Sequence, residues 1–336
     1  MTQNMDNSLQ NIEVCTAAHH QVAVFDLSDR TQLEITGSDR VRFLHSFTSN
    51  DIKRLKPGQG CETFITNLKG KVVAHVFVFC AENSLWLDGT PGQQEIIRSH
   101  LGQFLLIDDV QIIPQSTERG ELFVTGPLAA PLLQLDESFV VGSHVRRGSE
   151  GNILDLRRVD LLGKPGFLLS TARSRIETVN QSLSAIGVVH GSADLFEALR
   201  VEAGFPRFGI DMTDDNLAQE VARTKQCISF DKGCYLGQET IARLDSLGHT
   251  NRELRRLRFD ADQIPAASTP LLDATGTTEA GFLTSVAKAS PDSKNSAEHT
   301  VVGIGMLKRA FYQPDTIVSY RCGDQHVTGR VLSPTV

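Results

Sequence analysis

The sequence predicts an α+β protein that ends in a small closed β-domain. Strand-like and helix-like segments alternate over the first 125 residues with short hairpins between them, and residues 121–200 continue in the same manner. After residue 250 the helical period disappears, and strand-like runs with glycine breaks indicate a small β-barrel. No GxGxxG follows a strand and no GxxxxGK(S/T) occurs, so a classical dinucleotide or P-loop fold is not expected.

Composition and charge are ordinary for a globular protein. The 336 residues allow two or three domains, and 40% of them are hydrophobic and 22% charged. The net charge of −7 argues against a broad basic face, so direct nucleic-acid binding is not expected. The sequence has neither a membrane-spanning apolar run nor a secretory signal. We therefore expect a cytoplasmic protein whose first 20 residues are a partly disordered lead-in.

The six cysteines are irregularly spaced, with no CxxC pair and no histidine pair at zinc-finger distance. Reduced thiols are the simplest interpretation, and we predict no metal site carried by this chain alone. A disulfide between Cys227 and Cys234 is the alternative.

The first 80 residues predict two strand pairs around a short helix. QVAVFDLSDRTQLEITG fits a strand, a turn and a strand, and Ser38 is placed to cap the helix that follows. CETFITNLKGKVVAHVFVFC predicts a hairpin whose first strand ends near Thr66 and whose turn has a positive φ at Gly70. The second strand, from Val72 to Phe79, is apolar on both faces and should be central and buried.

The spacing of apolar residues predicts the helices and strands that follow the hairpin. Helices are predicted in GQQEIIRSHLGQFLLI and SRIETVNQSLSAIG, and strands in DVQIIPQ, ELFVTG and NILDLRRVDLLGKPGFLLST. The polar run AKASPDSKNSAEH, residues 287–299, should be an exposed, mobile loop between two barrel strands.

The segment SADLFEALRVEAGFP predicts a helix capped by Ser192 or Asp194. Leu195, Leu199 and Glu202 fall on one face of it, which places a carboxylate on the buried side. Because an unpaired buried charge is costly, Glu202 should meet a donor. One interpretation is a glutamate that frays in the last turn or pairs with an arginine. The other is a glutamate that lines an internal cavity and accepts hydrogen bonds from the N–H groups of a ligand.

The segment ISFDKGCYLGQET places a thiol just before a predicted helix. Cys234 lies two residues after Lys232, and both the helix dipole and the cation favour the thiolate. Gly233 and Gly237 permit close approach of another group. The alternative is an inert buried thiol. Since no histidine lies within four residues, a local Cys–His dyad is not supported.

FDKGCYLGQE resembles the K-G-C-Y-x-G-Q-E signature of the YgfZ-type folate-binding proteins. These proteins are relatives of the glycine cleavage T-protein, an aminomethyltransferase, and act in iron-sulfur cluster assembly or repair. ALRVEAGFPRFGIDM resembles the E-A-G-x-x-x-x-G-x-D-M stretch of the T-protein itself, and the resemblance covers roughly residues 20–330.

The resemblance implies two ferredoxin-like modules and a C-terminal small β-barrel, arranged as a ring around a central channel for tetrahydrofolate or a one-carbon derivative. We predict a discontinuous first module over residues 20–50 and 116–250, a second module over 51–115 and the barrel over 251–336.

The resemblance also implies site residues. Glu202 takes the position of a pterin-binding glutamate, and Phe208 stands where T-proteins often have tyrosine. The other predicted cofactor-binding residues are Asp211, Asn67 and Gln238, and the predicted catalytic residues are Cys234 and Lys232. Where T-proteins have a pair of aspartates in the hairpin, this chain has Ala74 and His75, and neither can act as the carboxylate.

Three functions remain open. The first is a folate-binding protein that supports iron-sulfur enzymes through Cys234, with iron-sulfur client or assembly proteins as partners. The second is a folate-dependent one-carbon transferase of the T-protein type. The third is a non-catalytic scaffold. The sequence does not decide whether the protein is an enzyme, and no membrane partner is expected.

Overall fold

The computed structural model describes residues 2–149, 151–290, 300–323 and 325–333. Residues 291–299 of the loop predicted at 287–299 lie outside them. The α-helices are Thr2–His20 (α1), Arg40–His45 (α2), Gln94–Gly102 (α3), Ala129–Leu132 (α4), Ile176–Ala185 (α5), Ala193–Ala203 (α6), Thr224–Cys227 (α7) and Gln238–Leu247 (α8). No helix in this part of the chain is long and apolar enough to cross a membrane.

The strands form two open sheets and one barrel. They are Ala23–Asp26 (β1), Thr31–Thr36 (β2), Gln59–Thr66 (β3), Val72–Cys80 (β4), Leu85–Gly89 (β5), Gln111–Pro114 (β6), Arg119–Thr125 (β7), His144–Arg147 (β8), Leu154–Val159 (β9), Gly166–Ala172 (β10), Val189–Gly191 (β11), Arg252–Asp260 (β12), Pro270–Asp273 (β13), Glu279–Lys288 (β14), Thr300–Lys308 (β15), Ile317–Cys322 (β16) and Gln325–Val331 (β17).

The first sheet has the order β11-β1-β7-β10-β9-β8, and the second has the order β3-β4-β5-β2-β6. All pairs are antiparallel except β1 with β11. Strands β12 to β17 close into a barrel in the order β12-β15-β14-β13-β16-β17. The predicted fold class, α+β modules followed by a small β-barrel, is confirmed.

The sheet division differs from the predicted module boundary. Residues 31–36 were assigned to the first module, but β2 lies between β5 and β6 in the second sheet. Leu33 and Ile35 of β2 are fully buried in the core of that sheet, and Phe43 and Leu44 of α2 pack with them. The change of sheet therefore occurs at the turn between β1 and β2 rather than near residue 50. The division into domains stays a prediction.

Residues 2–20 are helical rather than a partly disordered lead-in. Thr2–His20 is helical, and Val14, Ala17 and Ala18 are buried against the core of the first sheet. These apolar positions recur at helical spacing and share a face, which the polar composition of the segment concealed.

The predicted hairpin is confirmed. Strand β3 ends at Thr66, Gly70 has a φ of 70°, and every residue of β4 is buried. The predicted cap at Ser38 is wrong, because the N-cap of α2 is Asp39 and the Ser38 hydroxyl donates to Asp109 instead. The cap of α6 is Ser192, whose hydroxyl oxygen accepts from the backbone N–H of Leu195.

Four charged side chains, Arg30, Asp88, Glu121 and Arg157, are buried where the two sheets meet. Arg30 donates to Asp88 at 2.6 Å, and one Arg157 nitrogen lies 3.3 Å from Asp88 and 3.4 Å from Glu121. The exposed fractions of the four side chains are 7% or less. We call this group the interface charge cluster.

Candidate functional site

A cavity of about 460 Å³ lies at the junction of the two sheets. Strands β3 and β4 form one wall, the loops before β8 and β10 form another, and the ends of α6 and α7 complete it. Its lining residues are Gly60, Cys61, Glu62, Phe77, Val141, Gly142, Asp160, Gly163, Ala203, Phe205, Arg223 and Gln226. We call it the central cavity.

Two aromatic rings give the central cavity flat apolar surfaces. Phe77 and Phe205 are nearly parallel, with an interplanar angle of 11° and centroids 6.3 Å apart. The Arg223 guanidinium lies 4.7 Å from the centroid of the Phe205 ring. Planar ligands can stack on such surfaces, and the cavity volume is typical of small-molecule sites.

Asp160 is the unsatisfied polar group of the central cavity. Its Oδ1 atom is buried and accepts no hydrogen bond from the described residues. Burial raises the pKa of Asp160, although Arg158 and the backbone N–H of Gly166 partly oppose this effect. An unpartnered carboxyl oxygen in a cavity can accept a hydrogen bond from a ligand, and its desolvation is then compensated.

Glu62 and His75 reach the same side of the β3–β4 hairpin through its register. Phe64 lies opposite His75, and Glu62 lies opposite Phe77, so the two polar side chains are diagonal neighbours. The imidazole Nε2 lies 2.6 Å from Glu62 Oε1. His75 also stacks on Phe205, with ring centroids 5.6 Å apart.

Helix α7 brings two further side chains to Glu62. Arg223 precedes α7 and Cys227 ends it, so the two residues are four apart. Arg223 donates to both carboxylate oxygens of Glu62, and the Cys227 thiol donates to Oε1 at 3.3 Å. The Cys227 sulfur lies 3.8 Å from His75 Nε2. We call Glu62, His75, Arg223 and Cys227 the cavity-wall cluster.

Burial and charge set the ionisation of the cavity-wall cluster. Burial by itself would raise the pKa of Glu62, but Arg223 and His75 together lower it below its ordinary value. Burial lowers the pKa of His75, and burial followed by the Glu62 charge raises the pKa of Cys227 well above its ordinary value. The cluster is therefore a carboxylate paired with a guanidinium, beside a neutral imidazole and a neutral thiol.

Cys234 is exposed, whereas Lys232 is buried. The Lys232 ammonium donates to the carbonyls of His45, Thr48 and Asn50, at 2.7, 2.5 and 2.9 Å. Burial lowers the pKa of Lys232 to about 7, and the charges of Asp51 and Cys61 partly oppose that shift. The ammonium thus donates to backbone carbonyls, and the predicted catalytic roles of Lys232 and Cys234 stay predictions. The alternative disulfide between Cys227 and Cys234 is not formed. Both are free cysteines, Cys227 buried and Cys234 exposed.

The loop that carries Cys234 packs on the turn of the β3–β4 hairpin. The Asn67 side chain accepts from the backbone N–H groups of Lys69 and Lys71 and so shapes that turn. A Cβ on Gly237 would lie 2.3 Å from the Asn67 carbonyl oxygen, and Gly237 has a φ of 85°. Gln238 begins α8 directly after this contact. Neither Asn67 nor Gln238 lines the central cavity, and their predicted cofactor contacts stay predictions.

The three predicted residues of α6 and its following loop also lie outside the central cavity. Glu202 accepts from the backbone N–H of Ser290 and borders a separate cavity of about 170 Å³ next to the barrel. Asp211 is buried, and donors from Arg200, Arg207, Thr284 and Ser285 satisfy its carboxylate. Phe208 packs at the edge of a hydrophobic cluster. Protein donors therefore surround the Asp211 carboxylate, and Glu202 faces a different cavity, so the predicted cofactor contacts of Glu202, Phe208 and Asp211 stay predictions.

Sequence reasoning missed Glu62, Asp160, Arg223 and Cys227. Glu62 was detectable, because the hairpin register pairs it with the strand that carries His75. The spacing of Arg223 and Cys227 at i, i+4 was also visible, but only if a single turn of helix was recognised there. Nothing in the local sequence distinguishes Asp160 from a surface loop aspartate.

Comparisons with known proteins agree with this architecture. The sequence model of the GCVT N-terminal domain matches residues 6–232. The aminomethyltransferase of Deinococcus deserti is 29% identical over 205 residues, which are 59% of this chain and 57% of that enzyme. The tRNA-modifying protein YgfZ of Yersinia pseudotuberculosis is 27% identical over 269 residues, which are 74% of this chain and 75% of that protein.

A solved structure shares the whole fold. The glycine cleavage system aminomethyltransferase T from Bartonella henselae superposes with a TM-score of 0.84 and 20% sequence identity. The match covers 97% of this chain and 89% of that one. The two sheets and the barrel are thus arranged as in that protein.

Proposed function

The chain belongs to the GCVT N-terminal domain family of the aminomethyltransferase-like superfamily, and from this premise we propose that it binds a reduced folate in the central cavity. We further propose that it supports iron-sulfur cluster assembly or repair through Cys234. Folate binding and iron-sulfur support are separate steps with separate tests.

The unpartnered Oδ1 of Asp160 carries the folate proposal. The pyrimidine edge of a pterin presents adjacent N–H donors, and a carboxylate is their natural acceptor. Phe77 and Phe205 supply flat apolar surfaces for the fused ring, and the cavity of about 460 Å³ accommodates it. Bound tetrahydrofolate would supply a carrier nitrogen for a one-carbon unit, while Asp160 and the rings would hold and orient the pterin.

Asp160→Asn is expected to weaken binding of folinic acid. A charge-assisted hydrogen bond is worth about 1.5–3 kcal/mol, so the Kd should rise roughly 10- to 150-fold. Isothermal titration calorimetry of the wild type and the variant measures this change. Glu202→Gln is the matched control, because that carboxylate lies at a different cavity, and its Kd should equal that of the wild type. Absence of binding to the wild type would contradict the folate proposal, and a loss confined to Glu202→Gln would return the pterin contact to Glu202.

Aminomethyl transfer is not part of the proposal. Ala74 is fully buried within β4, and His75 contacts Glu62. Glu62 is the carboxylate that this hairpin brings to the central cavity, but Arg223, His75 and Cys227 occupy its oxygens. The Arg223 guanidinium already neutralises the Glu62 charge, so this carboxylate is poorly suited to stabilise positive charge on a reacting one-carbon unit.

The exposure of Cys234 supports the iron-sulfur proposal. All six cysteines lie in the described part of the chain, and Cys234 is the exposed one. Its neighbours Lys232 and Gly237 fix the loop on both sides, through the carbonyl contacts and the hairpin turn. An accessible thiol on a well-held loop can act as a ligand for a cluster that is substrate or cargo.

Cys234→Ser is expected to abolish the support of iron-sulfur enzymes in cells that depend on this protein, because oxygen replaces the thiolate ligand. The activity of a host iron-sulfur enzyme gives the readout. The Tm and the folinic acid affinity should stay unchanged, since Cys234 makes no hydrogen bond to the described residues and does not line the central cavity. Cys322→Ser, a change of a half-buried barrel cysteine, should retain full support. Full support by Cys234→Ser would remove this role without affecting the folate proposal.

A further inference from the structure

The cavity-wall cluster contains a ligand set that the folate and iron-sulfur roles do not use. We propose that Glu62, His75 and Cys227 bind a divalent transition-metal ion, and that Zn²⁺ matches the set best. Their ligand atoms lie within 4.8 Å of one another. A carboxylate oxygen, an imidazole nitrogen and a thiolate sulfur are all zinc ligands, and the mixture of borderline and soft donors disfavours Mg²⁺ and Ca²⁺.

The distances among the three atoms are close to those of a tetrahedral site. Bond lengths of about 2.3 Å to sulfur and about 2.0–2.1 Å to nitrogen and oxygen give tetrahedral edges of about 3.6 Å and about 3.3 Å. The Cys227 sulfur lies 3.3 Å from Glu62 Oε1 and 3.8 Å from His75 Nε2, so two edges are in place. The third, 2.6 Å between His75 Nε2 and Glu62 Oε1, is a hydrogen bond that has to open by roughly 0.7 Å to reach that edge.

Metal binding replaces the hydrogen bonds among the three ligand atoms with metal–ligand bonds, and the protons involved can be accounted for. The thiol of Cys227 loses its proton to solvent and becomes thiolate. The imidazole stays neutral, but its proton leaves Nε2, where it is donated to Glu62, and another proton is taken up on Nδ1, which frees the Nε2 lone pair for the metal. One proton is therefore released for each ion bound, and no oxidant or reductant is needed.

Arg223 completes the environment of the site. The cluster carries no net charge when the Glu62 carboxylate faces the Arg223 guanidinium, and it carries one positive charge once an ion with two charges replaces one proton. The Arg223 side chain is 17% exposed at the wall of the central cavity, where solvent or an anionic ligand can balance that charge. A hydrogen bond from Arg223 to the second oxygen also fixes the orientation of the Glu62 carboxylate, as partners of metal ligands commonly do.

Glu62 also lines the central cavity, whereas His75 and Cys227 lie behind the wall. The ion can therefore enter from the cavity, and its fourth ligand is a water molecule or an atom of the cavity's ligand. A site with three protein ligands and one open position is of the catalytic rather than the structural kind. This inference replaces the expectation from sequence that the chain carries no metal site, because the three residues are far apart in the chain and show no recognisable spacing.

Co²⁺ is the probe for this site. Reduced full-length protein, freed of metal with a chelator, is titrated with Co²⁺ and followed by absorption spectroscopy. We expect a near-ultraviolet sulfur-to-cobalt charge-transfer band and visible d–d bands of a four-coordinate ion, saturating at one ion per chain. Zn²⁺ should displace the Co²⁺ and abolish the bands.

Cys227→Ser should remove the charge-transfer band, and His75→Ala should reduce Co²⁺ affinity at least 100-fold. Cys61→Ser and Cys234→Ser are the controls, and both should keep the wild-type spectrum. Absence of the band from the wild type overturns the proposal, as does a band that persists in Cys227→Ser. Because the wild-type spectrum alone can refute the site, the test does not depend on how well the variants fold or on whether folate binds.

Discussion

Lys232→Met should destabilise the protein by about 3–5 kcal/mol, because it removes the ammonium donor from the buried carbonyl oxygens of His45 and Thr48. The Asn50 carbonyl, by contrast, keeps the Thr48 hydroxyl as a donor. Lys232 is 5% exposed, and its ammonium donates to the carbonyls of His45, Thr48 and Asn50. It also lies 4.6 Å from the centroid of the Tyr235 ring. Methionine fills a similar volume but supplies no N–H, so desolvation of the carbonyls is no longer compensated.

The affected carbonyls belong to the end of α2 and to the segment that links it to β3, whereas Lys232 belongs to the loop that carries Cys234. The hydrogen bonds of Lys232 therefore hold this loop against the second sheet, and they join residues more than 180 positions apart in the sequence. Loss of these hydrogen bonds should also make the Cys234 loop less ordered. Lys232→Met should therefore lower iron-sulfur support because the protein is less stable.

Chemical denaturation by urea measures the effect of Lys232→Met. Lys225→Met is the matched control: this lysine is exposed on α7, and its replacement should change stability by less than about 0.5 kcal/mol. A Lys232→Met variant with wild-type stability but no iron-sulfur support would instead return Lys232 to the catalytic role that the sequence suggested.

The contrast between Lys232 and the β3–β4 hairpin shows what the sequence could predict. The hairpin depends on local signals: a turn of Asn67 to Gly70 and an unbroken apolar strand that has to be buried. The neighbourhood of Lys232 depends on a segment about 180 residues away, and no local pattern encodes it. The hairpin prediction, which needed only hydrophobic period and turn chemistry, therefore succeeded, although the same kind of local signal was missed in the first helix and misassigned at Ser38.

The difference between local and long-range determinants also explains why the sequence did not identify the carboxylate that faces the central cavity. Glu202 and Asp211 were selected because a carboxylate on a buried helix face or in a matching motif suggests a ligand, but buried carboxylates equally often bind protein donors. Asp211 does so with four partners. Asp160 became visible only when the fold showed which carboxyl oxygen lacks a donor. Hydrogen-bond satisfaction is a property of the tertiary structure, so sequence could give candidates but could not rank them.

The interface charge cluster should be as sensitive as Lys232. Arg157→Met removes one of two cations that face Asp88 and Glu121, and the loss should be about 3–5 kcal/mol, because the two buried acids then share a single cation, Arg30. The guanidinium also lies 5.2 Å from the Phe79 ring and 5.3 Å from the Trp86 ring, so these contacts are lost as well. Arg146→Met, on the neighbouring strand, is the control. Its side chain is 46% exposed and pairs with Asp155, so the cost should be about 0–1 kcal/mol.

The effect of Arg157→Met should grow with pH. Burial, followed by the Asp88 charge, raises the pKa of Glu121 above its ordinary 4.5, while Arg157 opposes that shift. A carboxyl with a raised pKa in the folded state contributes full stability below about pH 4.5 and loses it as the pH rises through the folded-state pKa. Removal of Arg157 raises that pKa further, so the urea midpoint of the variant should keep falling up to a higher pH than that of the wild type. Parallel pH profiles for the two proteins would show that Arg157 does not set the charge of Glu121, and that any loss of stability comes from the lost ring contacts instead.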